Sequence, residues 1–353
     1  MSLAIPDDGS AEQVEIRRSR PDDDGAILDL LGRCLGWSDD DRFVAYFRWK
    51  HVENPFGTSP AWVATAAGRI VGFRSFMRWD LVSGSNPVRA VRAVDTATDP
   101  AWQRRGIFSS LTTAGLTELR AEGTELVFNT PNDKSRPGYL KLGWREVGQV
   151  PVAIRPISPW ALPKLAAERL PPGLAARLAI TNGPAGRPGE SRWSQPSGAG
   201  MPAAEWLADR AVVAELLDSQ PVGGTRLRTL RSVEYLQWRY RFEPLGYRSV
   251  PAGRSPSDGC VVLRVRRRGR ATEASVAEVL VPGGDARKRR RALAAAARAV
   301  DADYLLLAGA DRAATGFVPL PGQGPRLTSR GLSDAPAPPM ESWALGLGDL
   351  ELF

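Results

Sequence analysis

The chain has 353 residues with 47 Lys and Arg against 39 Asp and Glu, a net charge of +8, and 43% hydrophobic content, enough for two ordinary domains. It holds no run of about 18 uncharged apolar residues to span a membrane, and its first residues lack a basic region followed by an apolar run, so a cytoplasmic location is expected. One histidine, His51, two distant cysteines, Cys34 and Cys260, and no Gly-x-Ser-x-Gly turn exclude His/Cys zinc sites, a disulfide framework and the usual serine hydrolases.

Residues 14–18 read as a first strand, 22–35 as a capped helix and 39–49 as a second helix. Residues 61–66 and 70–79 form a predicted hairpin across Ala67-Gly68, and 91–98 a strand ending at Asp99-Pro100. Residues 106–122 form a helix with Ile107, Leu111 and Ala114 on one face. Residues 126–128 form a short buried strand and 135–142 a short helix stopped by Gly143; strands at 144–150 and 152–155 would then close the sheet. The expected fold class is α/β, an α+β mixed sheet and not a doubly wound one.

Residues 159–180 read as two short amphipathic helices broken by Pro171-Pro172, and 181–202, rich in Gly, Pro and Ser, as a flexible linker. A repeat follows. Tyr46, Trp49, Pro55 and Gly57 recur at identical spacing as Tyr235, Trp238, Pro244 and Gly246. After each copy comes a hairpin pattern (61–79; 261–281), then a helix (106–122; 286–300), then a short apolar strand (126–128; 304–307), so the same fold is expected twice. The expected organisation is a tail at 1–13, a first domain at 14–155, connecting helices and linker at 156–202, and a second domain at 203–353. The first 150 residues hold 19 basic and 20 acidic residues, the remainder 28 and 19. The excess lies in Arg264–Arg270 and Arg287–Arg291, which read as solvated faces before nucleic-acid surfaces.

The turn Gln103-Arg104-Arg105-Gly106-Ile107-Phe108 opens the helix with a row of backbone N–H groups, a place suited to phosphate. Asn132-Asp-Lys-Ser135-Arg-Pro-Gly-Tyr139-Leu-Lys141-Leu-Gly143-Trp144 follows some thirty residues later. Asp95 sits inside the central strand, on one face with the small Ala93 and Ala97. A carboxylate there needs a partner or a cleft. It either takes an amine's proton, directly or through water, or binds the ammonium, or pairs with Arg74, Arg92 or another arginine.

Over residues 14–150 these motifs resemble the GNAT acetyltransferase superfamily. Gln103 and Gly106 match its Gln/Arg-x-x-Gly-x-Gly/Ala turn. Asn132, Tyr139, Lys141 and Gly143 match its Asn-x-x-Ala-x-x-x-Tyr-x-Lys-x-Gly-Phe segment, with Ser135 for Ala and Trp144 for Phe. Phe108 departs from the small residue at the last turn position; its ring is expected to point into the core and leave the backbone donors in place.

The resemblance implies acetyl-CoA, or another short acyl-CoA, as co-substrate, and no metal. The carrier's pantetheine arm would pair with the main chain of Thr96, Ala97 and Thr98. Its pyrophosphate would sit on the N–H groups of Arg104, Arg105, Gly106, Ile107 and Phe108, while Asn132 and Ser135 shape the site. Tyr139 would be the catalytic residue that protonates the departing thiolate, with Asp95 the second candidate catalytic residue. The implied reaction is N-acetyl transfer to a small amine, an amino sugar or metabolite intermediate. The rival readings are a silent acyl-CoA-binding regulator and a protein-lysine acetyltransferase. Arg289 stands where Gly106 should recur, so the second copy is expected to have lost the carrier site.

Overall fold

The computed structural model of the chain describes residues 13–37, 40–167, 193–221, 224–309, 316–333 and 337–350. They divide into two compact units, one of residues 1–148 and 326–342, the other of 149–325 and 343–353. The expected boundary at 155 therefore falls earlier, and the first unit regains a strand from near the C-terminus.

In the first unit, β1 (Glu15–Arg18), β2 (Ala61–Ala66), β3 (Arg69–Arg78), β4 (Leu81–Ser83), β5 (Asn86–Val88), β6 (Ala90–Thr98), β7 (Leu126–Asn129) and β8 (Arg145–Gln149) alternate with α1 (Asp24–Leu35), α2 (Arg42–His51), α3 (Ile107–Ala121) and α4 (Arg136–Lys141). The main sheet runs β1-β2-β3-β6-β7, then the strand Arg326–Gly331, then β8. Ala67 and Gly68 both take positive φ (47° and 75°), the backbone that a tight two-residue hairpin turn requires between β2 and β3. The small pairing of β4 with β5 was not anticipated; Gly84 supplies its turn at φ 60°. The α3 helix seats directly on the sheet. A Cβ at Gly115 would fall 2.6 Å from Phe76, and one at Gly72 would fall 2.6 Å from Ile107. Ile107, Leu111, Leu116 and Leu119 fill the core beneath it with Trp62, Val71, Phe76 and Val91.

The second unit's sheet has the order Met201–Pro202, Arg248–Pro251, Cys260–Arg268, Ala271–Leu280, Tyr304–Ala308, Val152–Pro156, Val318–Pro319. Position by position its strand directions repeat those of the first sheet wherever both are given. Three antiparallel pairings lead to a parallel one, β6 with β7 in the first sheet and 271–280 with 304–308 in the second. The hairpin 260–280 thus corresponds to β3 and β6, not to the β2–β3 hairpin as the order of patterns suggested, and Arg248–Pro251 stands in the place of β2.

Two expectations change here. Residues 152–156 do not close the first sheet; they pair antiparallel with Tyr304–Ala308 in the second. The sixth place in the first sheet is taken by Arg326–Gly331, antiparallel to β7. Of the expected linker, residues 193–202 are built into the second sheet: Gln195 N–H donates to the Val265 carbonyl (2.8 Å), and Met201–Pro202 pairs with Arg248 and Ser249. Of the two connecting helices, Ala161–Ala167 is present, and the second lies outside the described residues, as do 1–12 of the expected tail. The basic run at 264–270 is not a solvated face throughout. Arg264 and Arg266 are buried, the latter 3.0 Å from Glu273, whereas Arg287, Lys288, Arg290 and Arg291 are exposed.

Candidate functional site

β6 and β7 are paired only from Ala90–Leu126 to Arg92–Phe128. Beyond that rung β6 continues to Thr98, so residues 93–98 run past their parallel neighbour with β3 on the other side. A strand edge left this way offers main-chain donors and acceptors to an extended ligand. The expected main-chain partners Thr96, Ala97 and Thr98 lie on this stretch. The Thr98 carbonyl also accepts from Gln103 Nε2 (3.3 Å), which ties the strand end to the turn.

That turn delivers α3. Gly106 is its N-cap at φ 78°, with no side-chain cap, so the first-turn N–H groups stay available. Arg104 holds the left-handed backbone at φ 65°, a strained choice for a residue with a Cβ. Gln103, Arg104, Arg105 and Gly106 are exposed, Arg105 stacking its guanidinium over Trp102 at 4.7 Å, while Ile107 is buried in the core. Phe108 turns its ring inward as expected, packing edge-on to Tyr139 (5.4 Å between centroids) and against Gly138, where a Cβ would come within 3.1 Å of it.

Asn132 and Ser135 build the approach to α4. The Asn132 Oδ1 accepts from Lys134 N–H (3.1 Å), Ser135 N–H (2.9 Å) and Ser135 Oγ (3.0 Å), which fixes the loop by itself. Tyr139 is buried between Phe108 and Trp144. Its hydroxyl accepts from Arg74 Nη1 at 2.6 Å, and the same nitrogen donates to Thr96 Oγ1. One arginine nitrogen therefore holds the α4 phenol beside the open stretch of β6. Sequence reasoning named Arg74 only as a partner for Asp95. The available signal was a lone cation inside the apolar run Ile70–Met77.

Asp95 lies at a β-bulge: Arg74 opposes Thr96 and Ser75 opposes Val94, so Asp95 is the extra residue, at φ 42°. The bulge breaks the alternation from which a face shared with Ala93 and Ala97 was expected. Its carboxylate pairs with Lys50 Nζ (2.7 Å) and His51 Nε2 (2.8 Å), both from the end of α2, where an arginine partner was one of the expectations. Burial would raise this carboxyl; Lys50 and His51 outweigh it and hold it well below the usual carboxylate range. Burial pushes the His51 imidazole below its usual range, against the pull of Asp95. A neutral His51 then donates from Nε2 to Asp95, and its Nδ1 accepts from the Ser75 hydroxyl at 3.2 Å. A carboxylate so held is a weak base. Lys50, His51 and Ser75 were not singled out from the sequence as partners of Asp95.

The corresponding place in the second sheet is built differently. A bulge recurs between 260–268 and 271–280, and Tyr240, the counterpart of His51, donates to Glu278 at 3.0 Å. Asp285 caps the helix Ala286–Ala299 by accepting from Lys288 N–H (2.7 Å), where α3 is uncapped. The strands 271–280 and 304–308 part after Ser275, and Leu347–Leu350 lies against the first of them. A Cβ at Gly348 would fall 2.8 Å from the Ala277 carbonyl and 2.3 Å from the Tyr240 hydroxyl. Arg231 holds both Glu278 and Asp349 there.

Among the described residues no group of three or more His, Cys, Asp and Glu could hold a metal ion, and no helix is long and apolar enough to cross a membrane. No curated protein matches the chain. Its fold resembles those of a GCN5-related N-acetyltransferase from Anabaena variabilis ATCC 29413 (TM-score 0.57, 11% identity, 91% of this chain and 73% of that one) and another from Kribbella flavida (0.56, 11%, 90% and 71%). It also resembles Eis1 from Mycobacterium abscessus (0.50, 13%, 91% and 74%). The sequence model described as Acetyltransferase (GNAT) domain matches residues 15–147, the stretch that carries the open edge of β6, the uncapped helix and Tyr139. Residues 15–147 thus match a GNAT acetyltransferase domain, and the fold of the chain is that of its GNAT-type structural neighbours.

Proposed function

We propose that the chain is an acyl-CoA-dependent N-acetyltransferase whose working site lies in the first unit and whose acceptor is a small amine, an amino sugar or a metabolite intermediate. The observation that carries this reading is the Arg74 nitrogen shared by Thr96 and Tyr139, which sets a phenol beside the unpaired stretch of β6. Residues 96–98 offer main chain to the pantetheine arm, and the N–H groups of 104–108 offer the pyrophosphate a positive helix end. The amine nitrogen attacks the thioester carbonyl, so a C–N bond forms and the C–S bond breaks. Sulfur keeps that electron pair and takes the Tyr139 proton, and the amine gives up its own proton to water. Tyr139 recovers its proton from solvent. Positioning supplies most of the acceleration, with no covalent enzyme intermediate. Asp95 acts as the clamp of the bulge. The second copy, with its helix capped and its strand opening lined by Leu347–Leu350, binds no carrier.

Thermal unfolding with acetyl-CoA, for the chain and for Gly106→Asp, tests the carrier site. Nothing lies within 4 Å of a Cβ at Gly106, so the carboxylate meets no neighbour at the helix end; its φ of 78° strains any residue with a Cβ, so each form is compared with its own ligand-free unfolding temperature. Saturating acetyl-CoA, at about 100 times Kd, should stabilise the chain by ~2.7 kcal/mol and leave Gly106→Asp unmoved. Equal response of both would remove the site from α3. Thiol release with glucosamine, spermidine and hydroxylamine then tests transfer. Tight binding with no release would favour the second reading, an acyl-CoA-binding regulator, which the engagement of Asp95 by Lys50 and His51 supports.

A further inference from the structure

Arg74 is fully buried, yet its polar partners are two hydroxyls, those of Thr96 and Tyr139. Its Nε and Nη2 find no hydrogen-bond partner among the described residues. Aromatic faces surround the guanidinium instead: Phe76 at 4.6 Å, Tyr139 at 5.0 Å and Phe108 at 5.6 Å. Each buried donor left unpaired costs about 1–3 kcal/mol, and an apolar side chain of similar length would pack among these rings without that cost. The ring contacts offset part of that cost, and two of the donors are still left unmet.

The contact with Tyr139 bears on where the phenol's proton points. A guanidinium only donates, so the Tyr139 oxygen must accept from it. A phenolic O–H lies near the ring plane with two low-energy directions, one to each side of the ring axis. Arg74 occupies one side, and the edge-on ring of Phe108 together with Trp144 keeps the phenol from turning away. The hydroxyl proton is left on the other side.

We propose that Arg74 is a positioning residue for acyl transfer: it holds the Tyr139 hydroxyl as an acceptor, so that the phenol's single proton is presented to the thiolate leaving the thioester. This rests on the reading of Tyr139 as the proton donor. After the S–H bond has formed, the guanidinium faces the oxygen that has just lost its proton. Phe108, the residue at which the turn departs from its family pattern, serves the same arrangement as a wall against which Tyr139 and Arg74 are packed.

The test compares Arg74→Met, Arg74→Lys, Tyr139→Phe and the double variant Arg74→Met/Tyr139→Phe in the full chain. The readouts are the unfolding temperature, acetyl-CoA affinity, and thiol release with glucosamine, spermidine and hydroxylamine. Arg74→Met should unfold at or above the wild-type temperature, bind acetyl-CoA within about threefold of wild type, and release thiol about tenfold to a hundredfold more slowly. Arg74→Lys should recover part of the rate. The double variant should be no slower than Tyr139→Phe alone, because two residues acting through one proton are not additive. Full turnover in Arg74→Met, or a further loss in the double variant, overturns the positioning role while leaving the transferase reading in place. Acetyl-CoA binding by wild type without thiol release overturns the transferase reading itself, and the proposal with it. If Arg74→Met does not fold, Arg74 is required for stability, and Arg74→Lys with and without Tyr139→Phe still decides whether the two residues are coupled.

Discussion

Asp95, Lys50 and His51 form a buried charged group whose balance is set by burial as much as by pairing. Asp95→Ala leaves the Lys50 ammonium in the core without its carboxylate 2.7 Å away, a change that should cost about 3–5 kcal/mol of unfolding free energy, measurable by denaturant titration. Lys50→Met/Asp95→Asn together should cost far less. His51 gives a distinct pH signature, because it is the chain's one histidine. Its folded-state affinity for a proton is depressed, so the unfolded chain binds a proton below pH ~6.5 that the folded chain refuses. Its contribution to stability is therefore present above that pH and lost as pH falls. Asp95 acts in the same direction at lower pH: its contribution holds above the ordinary carboxylate range and is lost below it. Asp24, which also faces His51, is shifted the opposite way by burial, so the comparison must be a difference between variants. Between pH 6.5 and 5, wild type should lose up to ~1.4 kcal/mol per pH unit relative to His51→Gln. Parallel curves would show that His51 is protonated in the folded chain. None of this was legible in the order of residues. Lys50-His51 end a helix and Asp95 lies 44 positions on, and only a bulge brings the side chain to them. One extra residue in a strand reverses the alternation on which any facing argument depends.

At the scale of elements, the helix that begins the site and the one that ends it reach their places by opposite devices. α3 is left open at its N-terminus, with Gly106 in the left-handed region and glycines at 72 and 115 letting it sit on the sheet. α4 is held by its own loop, through the Asn132 carboxamide and Ser135. Asn132→Ala removes three hydrogen bonds to one oxygen. It should cost about 1 kcal/mol, as loss of a helix cap does. Amide hydrogen exchange at residues 134–139 should quicken while that of α3 is unchanged. If Asn132 instead bound the carrier directly, acetyl-CoA affinity would fall with no change in exchange. These two helices were readable from the sequence to within a residue or two, because Gly106, Pro137 and Gly143 punctuate them and because Ile107 and Leu111 mark a buried stripe. The β4–β5 pairing was not. Three-residue strands with half-polar faces carry too few alternations to register as a period.

At the scale of the whole chain, each sheet is completed by a strand far in sequence from the strand it pairs with. Val152–Pro156, following directly on β8, pairs with Tyr304–Ala308, while Arg326–Gly331 returns to lie beside β7. Local pattern cannot reveal this exchange. Both strands are short and apolar enough to suit either sheet, and only a two-residue step, Val150-Pro151, separates 152–156 from the strand it was expected to accompany. The consequence is mechanical. A chain ending at residue 148 lacks the strand between β7 and β8, and so exposes the edge of β7 at Leu126–Asn129, among the most buried backbone in the first unit. Such an edge is a template for pairing with other chains. Residues 1–148 expressed alone should therefore aggregate or remain expanded, despite containing the whole of the family-matched region. A permuted form in which residues 324–333 follow residue 148 through a short Gly-Ser linker should recover a compact, cooperatively unfolding unit that binds acetyl-CoA. Its calorimetric transition decides the matter. A folded 1–148 fragment with a sharp transition would mean that the returning strand is dispensable. A permuted form as expanded as the fragment would mean that the first sheet needs more of the chain than that one strand.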